Sequence, residues 1–224
     1  MEFRSDTLLH LLRLVSPTLP TGAFSYSRGL EAAVHQGLVR NENEVGQWVF
    51  GILRESYACL DGPLFVRMIS ALEGNEFDRF VTFDDWLDAS RESHELQMED
   101  RQLGDALLRL LLDLNVESAI RLRGERLTFA GGFALASHHW QIASGLGLCG
   151  LFWIVMESQV QAALRLIPLG QVAGQRLLVQ SATHIEECAR TALSVPESEI
   201  GNAMIGLAMA SAWHENQYSR IFRS

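Results

Sequence analysis

Apolar residues recur along most of the chain with the period of 3.6 that is typical of amphipathic helices, and no stretch alternates with the period of two that marks a strand. The pattern predicts a first helix over residues 6–15, a short one over residues 27–36, and a third opened by Asn41 with Glu44 as an N-cap pair. Asp61 and Pro63 begin the next helix. The stripes that we predict to be buried are Leu8, Leu11, Leu12 and Val15; Val45, Trp48, Val49, Ile52 and Leu53; Leu64, Phe65, Met68, Ile69 and Leu72; and Leu96, Leu103, Leu107, Leu110, Leu111 and Leu114.

The second half of the chain continues the helical pattern. Thr82 with Asp85 predicts a further cap, and the alternating charges of residues 95–113 favour a solvated face opposite the leucine stripe. Later helices are predicted near residues 133–144, over residues 147–167, after Pro168, and from a cap near Glu197, the last with an inner face of Ile200, Met204, Leu207 and Ser211. No linker divides residues 1–224. We therefore expect one all-α domain, a bundle of about ten helices.

The charged residues exclude or disfavour several classes of function. The net charge of −9 disfavours a nucleic-acid partner, because affinity for phosphates depends on clustered positive side chains. All 18 basic residues are arginines. The absence of lysine excludes a Schiff-base mechanism and the lysine of a phosphate-binding P-loop. If nucleotide hydrolysis matters to this protein, another chain performs it.

Two features bear on location. The first fifteen residues carry acids beside arginine and no small-residue cleavage site, so we expect no secretory signal and a cytoplasmic protein. Residues 129–156 contain no acid or arginine, but glycines and histidines interrupt them. The dense apolar part is shorter than the roughly 20 residues that span a bilayer, which favours a buried core helix. We interpret Cys59, Cys149 and Cys188 as reduced core thiols.

Catalytic and metal-binding patterns are weak. The histidines, His10, His35, His94, His138, His139, His184 and His214, lack the spacing of three or four that presents two ligands from one helix. Adjacent acids such as Asp84 and Asp85 diverge on a helix and favour a solvated or capping role. We therefore predict no catalytic residue, resident metal or cofactor. A small helical metal-dependent hydrolase, with a site assembled from several helices, stays open as the alternative.

Three segments are too chemically particular for packing alone. Residues 16–31 read S-P-T-L-P-T-G-A-F-S-Y-S-R-G-L-E, with aromatic side chains between turn residues; we call them the proline segment. Residues 165–171 read R-L-I-P-L-G-Q and form a predicted turn, the PLGQ turn. Residues 214–224 read H-E-N-Q-Y-S-R-I-F-R-S and form the C-terminal tail, whose aromatic and arginine side chains are typical of binding hot spots.

These segments resemble the urease accessory protein F family, UreF, and residues 99–108 resemble its mid-chain helix around Asp100, Arg101, Gln102 and Gly104. In the tail, Ile221 stands where the family more often has leucine. The resemblance implies a non-catalytic chaperone of nickel insertion, all-helical and homodimeric. It also implies three partners, namely UreD (also called UreH), the GTPase UreG and the apourease subunits. Regulation of that GTPase is a further implication.

The resemblance and the composition together suggest which residues bind partners. We hypothesise that the tail becomes ordered on UreD or UreH, with packing on its own chain as the alternative, and that Arg165 or Gln171 meets UreG unless local hydrogen bonds hold them. Phe24 and Tyr26 either face a partner or plug the core. The full predicted set is Pro20, Gly22, Phe24, Ser25, Tyr26, Glu31, Arg165, Pro168, Gly170, Gln171, His214, Glu215, Gln217, Tyr218, Ser219, Arg220, Ile221, Phe222, Arg223 and Ser224.

Overall fold

The computed structural model describes residues 5–202 and 204–224, and within them the chain forms eleven α-helices and no β-strand. The prediction of an all-helical bundle is confirmed. The helices are α1 (Ser5–Leu14), α2 (Leu30–His35), α3 (Glu42–Ile52), α4 (Asp61–Glu73), α5 (Phe77–Ala89), α6 (His94–Asp113), α7 (Glu117–Arg121), α8 (Phe129–His139), α9 (Ser144–Leu166), α10 (Gln171–Ser194) and α11 (Ile205–Glu215). Short 3-10 turns lie at Ala23–Ser25 and Glu197–Glu199, and a π-helical segment, Leu53–Tyr57, extends α3.

The predicted starts of α3 and α4 are confirmed. Asn41 Oδ1 accepts a hydrogen bond from the Glu44 amide at 3.1 Å, and Asp61 opens α4 two residues before Pro63. The buried stripes of both helices are as predicted, except that Trp48 is only half-buried. Capping side chains and the helical spacing of apolar residues therefore determine this part of the fold.

Other boundaries were predicted wrongly. Helix α5 begins at Phe77, directly after a turn at Asn75 whose φ is 57°. Thr82 and Asp85 consequently lie inside α5 and cap nothing; Thr82 Oγ1 donates to the Asp78 carbonyl at 2.9 Å. Hydroxyl and carboxyl side chains also occur within helices, so the pair was ambiguous.

Helices α8 and α11 begin elsewhere than the pattern indicated. Thr128 caps α8 so that it starts at Phe129, before the predicted residue 133. Helix α11 starts only at Ile205, and Ile200 and Met204 precede it, although both pack against the core. Apolar residues in a connecting segment can fill the core without being helical.

The predicted stripe of α1 was half wrong. Leu14 is fully buried and Leu11 packs against the core, whereas Leu8 and Leu12 are 40% and 54% exposed. Helix α1 packs chiefly against α9, so only one edge of its apolar surface is covered. Gly150 of α9 permits this contact, because a Cβ there would lie 2.6 Å from Leu11 Cδ1.

Helix α9 is the central element of the bundle, with α10, α2, α3, α8, α4 and α1 around it. Within the described residues it alone has the length and composition to cross a membrane, but 72% of its most apolar window is buried inside the protein. The prediction of a buried core helix is confirmed. The three cysteines are unpaired thiols, and burial raises the pKa of Cys188 to about 11, so this thiol stays protonated.

Two buried carboxylates hold the start of α8. The Thr128 amide and hydroxyl donate to Asp84 at 3.0 and 2.5 Å, and the Phe129 amide donates to Asp100 Oδ1 at 3.0 Å. Thr128 Oγ1 in turn accepts from the Gly131 amide. The exposed-looking acids of α5 and α6 therefore satisfy amide groups that the first turn of a buried helix leaves unpaired. Of the two roles that we considered for Asp84, solvated or capping, the structure shows capping, although the helix end that it caps belongs to α8 and not to its own helix.

Arg91 connects this network to α4. Its guanidinium contacts Asp61 at 2.6 Å and Asp100 at 2.7 Å, and all three side chains are almost fully buried. Burial alone would lower the pKa of Arg91, but Asp100 and Asp61 hold it well above its ordinary value. The charged arginine therefore ties α4 to α6 through the core.

The pH dependence of stability tests the placement of Asp84. Burial raises the pKa of Asp84 to about 7, although hydrogen bonds from Thr128 act in the opposite direction. Below about pH 4 the carboxyl is protonated in both the folded and unfolded states; from there to about pH 7 only the unfolded chain ionises. This group should therefore lower the free energy of unfolding by roughly 4 kcal/mol as the pH rises across that window.

Urea unfolding of the parent chain and of Asp84→Asn at several pH values measures this difference. The variant should lack that decline whatever its absolute stability, because its side chain does not titrate. The exposed neighbour supplies the control, since Asp85→Asn leaves Asp84 in place and should keep the decline. Parallel curves for the parent and Asp84→Asn would contradict the assignment.

Candidate partner-binding site

Helix α6 carries three polar side chains along one face, at spacings of four and three residues. Glu95, Glu99 and Gln102 form this polar ridge. The Arg220 guanidinium lies 2.6 Å from Glu95, the Arg28 guanidinium lies 2.7 Å from Glu99, and the Tyr26 hydroxyl donates to Gln102 Oε1 at 2.6 Å. The ridge thus binds both the proline segment and the C-terminal tail.

Glu31 of α2 is the second anchor of the tail. Its carboxylate accepts hydrogen bonds from the amides of Ile221 and Phe222 at 2.7 and 2.9 Å. Glu31 is only 5% exposed, so these charge-assisted bonds replace the water that the carboxylate loses. The backbone of the tail is therefore fixed to α2.

His214, in the last turn of α11, lies between two carboxylates. Its Nδ1 is 2.8 Å from Glu95 and its Nε2 is 3.3 Å from Glu31, and its side chain is fully buried. Arg220 closes the next turn, donating to the carbonyls of Gln217 and Glu215 at 2.9 and 2.6 Å. A cation at the carboxyl end of a helix also interacts favourably with its dipole.

The proline segment and the tail pair through their backbones. The Arg223 amide donates to the Ser25 carbonyl at 3.0 Å, and the Ser27 amide donates to the main-chain oxygen of Ser224 at 2.7 Å. The Ser27 hydroxyl donates to the same oxygen. Ser224 Oγ donates to Glu99 at 2.5 Å, which connects this pairing to the polar ridge.

An unusual turn directs Arg28 towards Glu99. Arg28 and Gly29 have φ values of 50° and 76°, and the left-handed region is costly for a residue with a Cβ. Glycine is required next, because a Cβ at Gly29 would lie 3.0 Å from the Ser211 amide nitrogen. Burial raises the pKa of Glu99, and Arg28 and the Ser224 hydroxyl oppose that shift. The turn therefore brings a positive charge to a buried acid and opposes the effect of burial on its pKa.

The PLGQ turn touches this site at one end only. The Arg165 guanidinium lies 5.8 Å from the ring centroid of Phe222, within cation–π range. Pro168, Gly170 and Gln171 are exposed. Among the described residues, the Gln171 side chain has no hydrogen-bond partner, so the local bond that we considered for it does not form.

The structure divides the aromatic residues of the proline segment in a way that the sequence did not predict. Tyr26 is 5% exposed and packs in the core, which is the packing alternative that the sequence left open. Phe24 is half-buried, whereas Pro20, Gly22 and Ser25 are exposed. The turns lift one end of the segment into solvent while the tyrosine inserts against α6.

The tail takes the alternative arrangement, in which it packs on its own chain without a partner. In the structure it is ordered on its own chain, with Phe222 and Ser224 only 5% and 2% exposed. The reason is that buried carboxylates on α2 and α6 need donors, and the tail amides supply them. Of the predicted tail residues, Glu215, Ser219 and Arg223 are exposed and Gln217 is half-buried.

Several exposed apolar side chains surround the docked tail. Tyr218 is fully exposed and Ile221 is 68% exposed. They line a groove of about 720 Å³ together with Trp213, Leu166 and Val34. The outer face of α11 continues this surface with Ile205, Met209 and Trp213, which follow at intervals of four residues and are 71%, 46% and 37% exposed. Contiguous exposed apolar surface of this kind marks an interaction site.

Sequence reasoning missed Arg28, Glu95, Glu99 and the outer face of α11 as parts of this site. The spacing of Glu95, Glu99 and Gln102 on one helical face was a usable signal for the ridge. No comparable signal marks Arg28, because its role depends on a backbone turn. In the described part of the chain, no group of three or more histidine, cysteine or acidic side chains could hold a metal ion.

Fold and site together define an all-helical protein that carries exposed apolar surface beside a docked C-terminal tail. A family model described as UreF matches residues 39–182. Urease accessory protein UreF 2 of Brucella anthropi is 55% identical, over 97% of this chain and 96% of its own length. Urease accessory protein UreF of Alkalilimnicola ehrlichii is 42% identical over 96% of this chain and 94% of its own length. The corresponding protein of Teredinibacter turnerae is 40% identical over 98% of this chain and its whole length.

The chain therefore belongs to the UreF family of urease accessory proteins. This confirms the resemblance that the three segments indicated. The family is one of non-catalytic chaperones, so the chain is not an enzyme and the alternative of a metal-dependent hydrolase is set aside.

Proposed function

We propose that the protein is a scaffold for nickel insertion into urease, which binds UreD (UreH), recruits the GTPase UreG and docks with them on apourease. The observation that carries this proposal is the convergence of the proline segment, the tail and Arg165 on one surface. Three contacts join these segments, namely Arg223 to Ser25, Ser27 to Ser224, and Arg165 to Phe222. A rigid surface loses less conformational entropy on binding than a disordered tail would.

UreD (UreH) binds the face formed by Ile205, Met209, Trp213, Tyr218 and Ile221. Aromatic and large aliphatic side chains dominate binding energy when a partner removes them from water. Tyr218 is fully exposed in the isolated chain, so of these five side chains it has the largest exposed fraction to lose when a partner binds. The groove beside it would accept one protruding side chain of the partner.

UreG is recruited through the other end of the same surface, near the PLGQ turn. Gln171 presents an exposed amide at the start of α10, and Arg165 lies beside the tail. The chain has no lysine and no P-loop, so nucleotide hydrolysis and its regulation take place on the recruited GTPase. Cytoplasmic assembly follows from this set of partners.

Point variants in the tail test the UreD (UreH) surface. Tyr218→Ala and Ile221→Ala should each lower affinity for UreD (UreH) about tenfold or more, because each removes an exposed apolar anchor. Thermal unfolding should be unchanged, since neither side chain is buried in the isolated chain. Affinity can be measured by calorimetry or by co-purification.

The matched control is Leu114→Ala, which truncates a 48% exposed aliphatic side chain just beyond α6. Deletion of the tail is a poor substitute, because it would also remove the buried Phe222 and Ser224. Full UreD (UreH) affinity in both tail variants would contradict the proposed surface.

A second copy of the chain packs on α1, forming the homodimer that family membership suggests. Leu8, Leu9 and Leu12 project from one side of this helix and are 40%, 64% and 54% exposed. Asp6 lies in its first turn and Arg13 in its last, so two antiparallel copies would bring opposite charges together around a leucine seam.

Sedimentation of a Leu9→Glu variant tests this dimer. A buried glutamate opposite its symmetry copy should raise the dimer dissociation constant at least about tenfold, because like charges would be desolvated together. Leu114→Glu, which adds the same charge to another exposed leucine, should leave the dimer intact. A Leu9→Glu protein that sediments like the parent would rule out α1 as the contact.

A further inference from the structure

We propose that His214 is a positioning residue whose proton controls how firmly the tail is seated, so that display of the partner-binding face depends on pH. The proposal deepens the proposed function and rests on it only for its biological consequence. Its structural part concerns the isolated chain: the protonated imidazole holds Glu31 and Glu95 in place, and these carboxylates hold the tail.

Each ring nitrogen of His214 faces a carboxylate oxygen, an arrangement that two N–H donors satisfy. Nδ1 lies 2.8 Å from one Glu95 oxygen and Nε2 lies 3.3 Å from one Glu31 oxygen. An imidazolium donates through both nitrogens, whereas a neutral imidazole donates through one and presents a lone pair at the other. Loss of the proton therefore leaves one carboxylate facing a lone pair inside the protein, where water cannot compensate.

The charges around the imidazole balance only when it is protonated. Helix α2 contributes Glu31 and helix α6 contributes Glu95, while the tail contributes Arg220, which lies 2.6 Å from the other Glu95 oxygen. On α11 itself, the Glu215 carboxylate accepts from the Glu95 amide at 3.2 Å. With an imidazolium, two cations face the two anchoring carboxylates; without the proton, one buried negative charge is uncompensated.

Glu31 transmits this change to the binding face. The same carboxylate that faces Nε2 accepts the amides of Ile221 and Phe222. If repulsion from the neutral imidazole displaces it, those two bonds weaken together and Tyr218 and Ile221 lose their fixed positions. Because the docked arrangement favours the imidazolium, docking should be complete while His214 carries its second proton and should weaken when that proton is lost.

NMR of the isolated full-length chain tests the proposal without any partner. The ¹⁵N shifts of the His214 ring report its charge, and the amide resonances of Ile221 and Phe222 report docking. We expect both to change with one midpoint as the pH is raised. A ring that is neutral throughout, or one that titrates while the two amides stay still, would overturn the proposal.

Two variants separate control by the proton from a merely structural role. His214→Gln keeps a polar side chain that does not titrate, so the pH-dependent step of the tail amides should disappear. Glu95→Gln removes one of the facing charges and should move the midpoint of His214 to lower pH. An unchanged step in His214→Gln or an unchanged midpoint in Glu95→Gln would each refute the mechanism.

Binding of UreD (UreH) measured at low and high pH then tests the biological consequence. Affinity should fall with rising pH in the parent chain and be independent of pH in His214→Gln. A tail that titrates as expected while Tyr218→Ala binds UreD (UreH) normally would refute the proposed binding face and leave the role of His214 intact. Absence of the titration, with Tyr218→Ala impaired, would refute only the role of His214.

Discussion

Buried carboxylates that need hydrogen-bond donors determine the arrangement of this protein's functional surface. Glu31, Glu95 and Glu99 lie on α2 and α6, shielded from water. An unpaired charge in such a position is strongly destabilising. The donors come from Arg28 in the proline segment and from the tail, so segments distant in sequence must pack together for the acids to be accommodated.

This requirement gives the tail two distinct sides. Phe222 and Ser224 are buried against the bundle, whereas Tyr218 and Ile221 face solvent. A partner that binds the exposed side meets a backbone already fixed by Glu31, so most of the ordering entropy has been lost in folding and does not weaken binding. The contacts that stabilise the fold and those available to a partner therefore belong to the same short segment.

Much of the fold follows from the sequence because helical period and capping are local. The stripes of α3 and α4 and the burial of α9 needed no knowledge of neighbouring elements. The site was less predictable. The sequence of a helix does not show whether an acid on it faces solvent or another packed element, and Asp84 and Glu99 both turned out to be buried. The family resemblance indicated which segments matter, but it could not show that the tail would dock on its own chain.

Hydrogen–deuterium exchange of the isolated protein tests the central claim most directly. If Glu31 and the polar ridge seat the tail, the amides of Ile221 and Phe222 are protected in the parent chain, and Glu31→Ala abolishes that protection while the amides of α9 remain protected. Rapid exchange of both tail amides in the parent chain, with α9 fully protected, would show that the tail is not part of the folded bundle and would contradict this account.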